Sequence, residues 1–149
     1  MALSGTWDKA HSILVGPRTR DNVVGYHLLT PLVRPSGSTI IVDRGFISTE
    51  QAKKVIDDRT DDGVVEVVGM LRTQPQKNSF TPDNKPEKGE WYWADIDAVA
   101  EYAGGTQANV QPVLVEEIFG EIMTERVKIK TQVLTKLHQT VILVKPFMI

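Results

Sequence analysis

A Ser-His-Asp triad in this chain would have to be built from Ser12 or Ser79, His27 or His138 and one of several aspartates, and a metal site from His11, His27 and His138. A triad needs its nucleophile presented on a sharp turn, and no Gly-x-Ser-x-Gly elbow is present. The histidines lack metal-ligand spacing, and His27 lies between Tyr26 and Leu28 in a strand-like run, where a hydrogen-bonded structural role outweighs ligation. The absence of cysteine removes thiolate nucleophiles, zinc–thiolate sites and disulfides. Gly104-Gly105 follows a helical pattern and does not open one, so it lacks the geometry of a phosphate loop. The aromatic cluster Phe80, Trp91, Tyr92 and Trp93 has faces on which bases could stack. A net charge of −2 supplies no basic groove, so burial of that cluster against a sheet is the expectation, and nucleic acid is not an expected partner.

Two features remain once these chemistries are set aside. Arg44 falls in line with Ile40, Val42 and Phe46 on an apolar strand face. An unpaired buried guanidinium would cost several kcal/mol, so Arg44 either pairs with Asp95 or Asp83 or extends its stem to reach solvent. The second feature is Phe80-Thr81-Pro82-Asp83-Asn84-Lys85-Pro86, whose prolines and Asx pair predict a shaped loop.

The elements that must position these residues follow from hydrophobic periodicity and its breaks. His11–Val15 is a short apolar run stopped by Gly16-Pro17, with a basic turn at Arg18 and Arg20. A strand over Val23–Val33 turns back at Pro35-Ser36-Gly37 into a second strand over Ser38–Ile47, and Pro31 marks an edge or a bulge. Ser48-Thr49 caps a short helix reaching Ile56, with Glu50 in its first turn and Lys53 and Lys54 near its end. Val64–Thr73 is a further strand, and Gln74–Glu90 a long polar connection of the length that is usually functional. Trp91–Trp93 reads as a short aromatic strand, and Asp95 as the N-cap of a helix over Ile96–Tyr102 ended by Gly104-Gly105. Gln111–Ile118 is another strand, and Val127–Val133 alternates like one. The expected fold is α+β: a curled antiparallel sheet or partly open barrel with two short helices.

At 149 residues, 41% hydrophobic and 24% charged, the chain has the size and composition of one globular domain with one core. No segment approaches the ~18 consecutive apolar residues of a membrane helix, and Met1-Ala2-Leu3-Ser4 carries neither a secretory nor a mitochondrial presequence pattern. Taken alone, the chain is expected to be soluble.

Several blocks then fall in a familiar order: Gly25-Tyr26-His27-Leu28-Leu29-Thr30-Pro31-Leu32, Ile41-Val42-Asp43-Arg44-Gly45-Phe46, Gly69-Met70-Leu71-Arg72, Phe80-Thr81-Pro82-Asp83-Asn84 and Trp91-Tyr92-Trp93-Ala94-Asp95. In this the chain resembles the surfeit locus protein 1 family of cytochrome c oxidase assembly factors, most nearly its fungal mitochondrial members, over about Ser4 to Glu117. Asp43 stands where the family more often has Asn, and Ala94 where an Arg often precedes the Asp. The resemblance implies a non-catalytic protein of the mitochondrial inner membrane whose folded domain faces the intermembrane space. It implies a role in maturing the largest oxidase subunit around the installation of haem a, with that immature subunit and other assembly factors as partners. Neither of the family's two membrane helices is recognisable in the chain, and the likeness is expected to end near Phe119. Residues 1–119 would then be the intermembrane-space domain, and 120–149 a divergent tail of one or two strands. The family's association with haem rests on a histidine of a membrane helix, so no haem ligand or other cofactor is carried onto this chain.

The expected partner surface or structural motif comprises Tyr26, Arg44, Gly45, Phe80, Pro82, Asn84, Trp91, Trp93 and Asp95. The competing readings are a small-ligand-binding module or enzyme built around Arg44 and Trp91, and a truncated form without function. A deep pocket holding Arg44 would favour ligand binding, and an exposed aromatic patch would favour the assembly role.

Overall fold

Six strands and two helices follow from these patterns in the computed structural model, which describes residues 1–118. They are β1 (Ala2–Trp7), β2 (Ile13–Arg20), β3 (Val23–Val33), β4 (Thr39–Ser48), α1 (Thr49–Val55), β5 (Val65–Arg72), α2 (Ile96–Tyr102) and β6 (Val110–Glu117). Met1–Glu117 form one compact unit. The alternating segment Val127–Val133 and His138 lie outside the described residues. Among the described residues no helix is long and apolar enough to cross a membrane.

The sheet order is β1-β5-β6-β4-β3-β2, and β1 also pairs with β3. Hydrogen bonding therefore closes a ring through β1, β5, β6, β4 and β3, with β2 attached outside it to β3. β1 makes the closure by changing partner midway: Ala2–Gly5 pair with β5, and Thr6 and Trp7 with β3. The expected antiparallel sheet is instead mixed, because β4 and β6 run parallel. The chain between them, through α1, β5 and α2, is long enough to bring β6 back in the direction of β4.

The two faces of the ring bury separate clusters where a single core was expected. Leu3, Trp7, Leu32, Ile40, Val42, Val65, Val67, Val113 and Val115 form one cluster on the inner face, with every strand of the ring represented and β4, β5 and β6 each contributing two alternate residues. On the outer face Ile13, Val15, Leu29, Ile41 and Leu114 pack beneath Trp91 and the apolar side of α2 (Ile96, Val99, Ala100).

Local signals held where they were strongest. Ser48 Oγ accepts from Gln51 N–H while the Gln51 side chain accepts from Ser48 N–H, a reciprocal cap for α1. The β2–β3 turn is not at Arg18 but at Asp21-Asn22, which take φ of 50° and 64° in a two-residue hairpin loop that needs left-handed backbone at both positions. Pro31 pairs with Ile41 on β4, and its carbonyl accepts from Asp8 N–H at 2.9 Å. A strand residue aims its amide and carbonyl at the same neighbour, so the missing N–H of Pro31 faces the break between β1 and β2.

Gly45, at φ 106°, sits in a bulge in β4. His27 pairs with Phe46 and Leu29 with Asp43, so Arg44 and Gly45 together oppose Leu28. The extra residue turns Phe46 to the face of Asp43 and Ile41, correcting its expected alignment with Val42 and Arg44. The bulge thus leaves Asp43 pointing outward and Arg44 inward at the end of the strand.

Candidate functional site

The connection from residue 74 to 90 crosses the outer face, and asparagine side chains hold it. Asn84 Oδ1 accepts from the amides of Tyr92 at 2.6 Å and Trp93 at 3.2 Å, while its Nδ2 donates to Trp93 O at 3.0 Å. Asn78 Oδ1 accepts from Phe80 N–H and from Thr81 Oγ1, each at 2.9 Å, forming an Asx turn. Lys85 and Glu90 exchange backbone hydrogen bonds of 2.8 and 3.1 Å around Pro86–Lys88. The expected shaped loop is present, but Trp91–Trp93 is not a strand. Trp91 makes a single parallel bridge to Val15, and Asn84 takes the next two amides that a ladder would have used.

This arrangement sorts the aromatic cluster unlike the expectation of common burial. Trp91 is 2% exposed, wedged between β2 and α2 with its ring edge-on to Tyr102 at 5.8 Å. Phe80 is 93% exposed, because a loop tip held by its own side-chain bonds offers its neighbours no apolar surface to cover it.

Where α2 no longer covers the outer face, the face becomes polar. His27 continues the line of Leu29, and its Nδ1 is 3.2 Å from both carboxylate oxygens of Asp43. Asp43 also accepts from Gly45 N–H at 2.9 Å, and Glu116 on β6 pairs with Arg72. Arg18, on β2, donates to Tyr92 O at 2.5 Å and to Pro17 O at 3.1 Å. His27, Asp43 and Arg18 line a cleft of about 260 Å³ walled on its other side by Pro75, Asn78 and Trp93. A larger cleft of about 550 Å³ adjoins it, lined by Pro17, Phe80, Pro82 and Tyr92, with Arg18, Asn78 and Thr81 common to both.

The hydrogen bond to Asp43 raises the His27 pKa above its ordinary 6.5, against the opposing effect of burial. Glu116 also raises it and Arg18 lowers it. The folded state therefore holds this proton more tightly than the unfolded chain does. That stabilisation is fully present below pH 6.5 and is lost as pH rises through the higher folded-state pKa. Partial solvent exposure keeps it below about 1 kcal/mol. The thermal midpoint is expected to fall across this window, and the fall is expected to flatten in His27→Gln; an unchanged pH profile in that variant would contradict the pairing.

Arg44 lies on the inner face at the end of the ring and pairs with neither Asp95 nor Asp83. Its guanidinium stacks over the Trp7 ring at 4.3 Å, a cation–π contact. Burial pushes its pKa down, and the charge of Glu117 is the largest opposing influence. Burial raises the Glu117 carboxyl in turn, and Arg44 offsets part of that rise. Asp95 is occupied as the N-cap of α2, accepting from Ala98 N–H at 3.3 Å, and Asp83 pairs with Lys77 in the loop.

Of the expected residues, Asn84, Trp91, Trp93 and Asp95 form one continuous support on the outer side, with Phe80 and Pro82 presented beside it. Tyr26 lines a neighbouring cleft of about 260 Å³ with Pro17, Trp91 and Tyr92. Arg44 and Gly45 are not brought to this surface. Arg18, Asn78, Asp43 and Trp7 are the participants that sequence reasoning missed. Asn78 alone carried a local signal, standing two residues before the Phe80 amide that it accepts from.

Serine and histidine are not assembled for acyl transfer among the described residues: Ser12 Oγ bonds Thr30 Oγ1 at 2.9 Å, and His11 bonds Asp8 at 2.7 Å.

The family model described as the SURF1 family matches residues 1–144. A SURF1-like protein of Dictyostelium discoideum is 27% identical over 69% of this chain and 46% of its own length. A SURF1-like protein of Monosiga brevicollis is 31% identical over 78% of this chain and 47% of its own length. Surfeit locus protein 1 of Mus musculus is 30% identical over 67% of this chain and 38% of its own length. The chain thus spans less than half the length of these relatives. The match reaches residue 144, past the expected end of the likeness near Phe119. On the extent of that match, the chain belongs to the SURF1 family.

Proposed function

We propose that this chain acts in the assembly of mitochondrial cytochrome c oxidase, as a non-catalytic factor that docks an immature client. In this reading residues 1–119 form a domain in the intermembrane space, held at the inner membrane. The client is the largest oxidase subunit around the stage at which haem a is installed, and other assembly factors share the surface. Family membership supports the setting. The observation that carries the docking role is the asparagine-pinned loop, which displays a 93% exposed Phe80 beside an open cleft of about 550 Å³. An exposed aromatic held on a stiff support loses little conformational freedom when a partner covers it. Arg44 stands apart from this surface, stacked on Trp7 at the inner face.

The test is complementation of an oxidase-deficient mutant lacking its own family member, using this chain with and without flanking membrane helices. Recovery of assembled oxidase with the helices attached is expected. Failure of both forms to restore it would overturn the assignment and favour the reading of a chain without function.

A further inference from the structure

The polar half of the outer-face cleft holds more donors than free acceptors. Arg18 spends its two terminal nitrogens on backbone carbonyls, and among the described residues no carboxylate lies within ion-pair distance of it. A guanidinium bonded only to carbonyls keeps its full charge and still has donors to offer. Asp43 fixes His27 through Nδ1, which leaves Nε2 as the ring's second donor whenever the imidazole is protonated. Asn78 accepts through Oδ1, so its Nδ2 remains to donate. The acceptors nearby are already engaged, Asp43 by His27 and the Gly45 amide, and Glu116 by Arg72. Past Arg18 the cleft continues into the larger one, whose walls are Phe80, Pro82, Pro17 and Tyr92. A cationic, donor-rich half thus adjoins an apolar, aromatic half, and both open to solvent as a groove.

We propose that this groove binds an extended peptide segment of a client, seating an Asp or Glu carboxylate on Arg18 and His27 and an adjacent apolar side chain against Phe80, Pro82 and Tyr92. The inference rests on the docking reading and supplies the chemistry of the partner. Charge complementarity selects the carboxylate, and an open groove in two unlike halves matches an extended chain, whose successive side chains differ in character.

The experiment titrates the full chain with two acetylated, amidated tetrapeptides, Leu-Glu-Phe-Leu and Leu-Gln-Phe-Leu, and follows backbone amides by NMR near pH ~6. Charge-assisted bonds are expected to make the Glu peptide bind about tenfold or more tightly than its Gln counterpart. Its shifts are expected to centre on residues 18, 27 and 76–82. Arg18→Gln should abolish the preference. Gln76→Glu, at an exposed position lining the same cleft, should also abolish it by setting a carboxylate of the chain's own against the site, and it serves if the Arg18 variant misfolds. Equal binding of the two peptides, binding of neither, or a preference that survives Gln76→Glu would overturn the proposal. Oxidase rescue without the peptide preference would sink this inference alone, whereas the preference without rescue would sink the assembly reading alone.

Discussion

Replacing Trp91 by alanine is expected to lower the unfolding free energy by about 3–5 kcal/mol, the range for deleting a buried indole. Trp91 is 2% exposed and joins two elements of the outer layer: its carbonyl accepts from Gly16 N–H at 2.9 Å and its backbone bridges Val15, both on β2, and its ring meets Tyr102 of α2. Truncation would leave a cavity between β2 and α2 that β2 cannot close, because its ladder with β3 holds it in place. Urea denaturation of the wild type and of Trp91→Ala measures the difference directly. Trp91→Phe, which keeps most of the apolar volume, should cost much less. A loss below about 1 kcal/mol for Trp91→Ala would mean that the outer layer does not depend on this wedge.

The second large effect is expected at Asn84. Asn84→Ala would leave the Tyr92 and Trp93 amides and the Trp93 carbonyl without their partner. Each unsatisfied, partly buried group costs on the order of 1 kcal/mol or more, so a loss of about 2–3 kcal/mol is expected. Asn84→Asp keeps both acceptor bonds but removes the donor and sets a carboxylate against the Trp93 carbonyl, so it should fall between alanine and wild type. The loop is expected to loosen before the sheet does. Limited proteolysis should therefore cut within residues 74–83 of Asn84→Ala faster than in wild type, under conditions where both remain folded. Equal cleavage rates would show that Asn84 does not pin the loop.

What the sequence disclosed and what it withheld divides along the range of the interactions involved. β3, β4, α1 and α2 were legible because their determinants are local: alternation along the strands, the Ser48–Gln51 cap and the Asp95 cap. β1 was not, since Ala2–Trp7 has no clear alternation and its place depends on two partners remote in sequence. The parallel entry of β6 is a property of topology, which strand patterns do not encode. Arg44 was recognised as an exception on an apolar face, yet its partner is the Trp7 ring rather than a carboxylate, a contact between residues that no spacing rule connects. The Gly45 bulge reversed the face of Phe46, and period-2 reasoning fails wherever one residue is added to one strand. The loop was read correctly as shaped, and Asn84 was among the residues expected to matter. Phe80 was named in the partner surface, but it was also grouped with a buried aromatic cluster, because hydrophobicity marks what prefers burial, not what a stiff loop prevents from being buried.

The central claim, that the Phe80 loop is where a client docks, is tested most directly by putting a photoreactive phenylalanine analogue at position 80. The chain, joined to membrane helices, would be expressed in mitochondria that lack their own family member, with Val64 as an exposed control position. Irradiation followed by immunodetection of the newly made largest oxidase subunit is expected to give an adduct from position 80 that disappears in Asn84→Ala, and none from position 64. Equal adducts from both positions, or restored oxidase with no adduct from position 80, would contradict it.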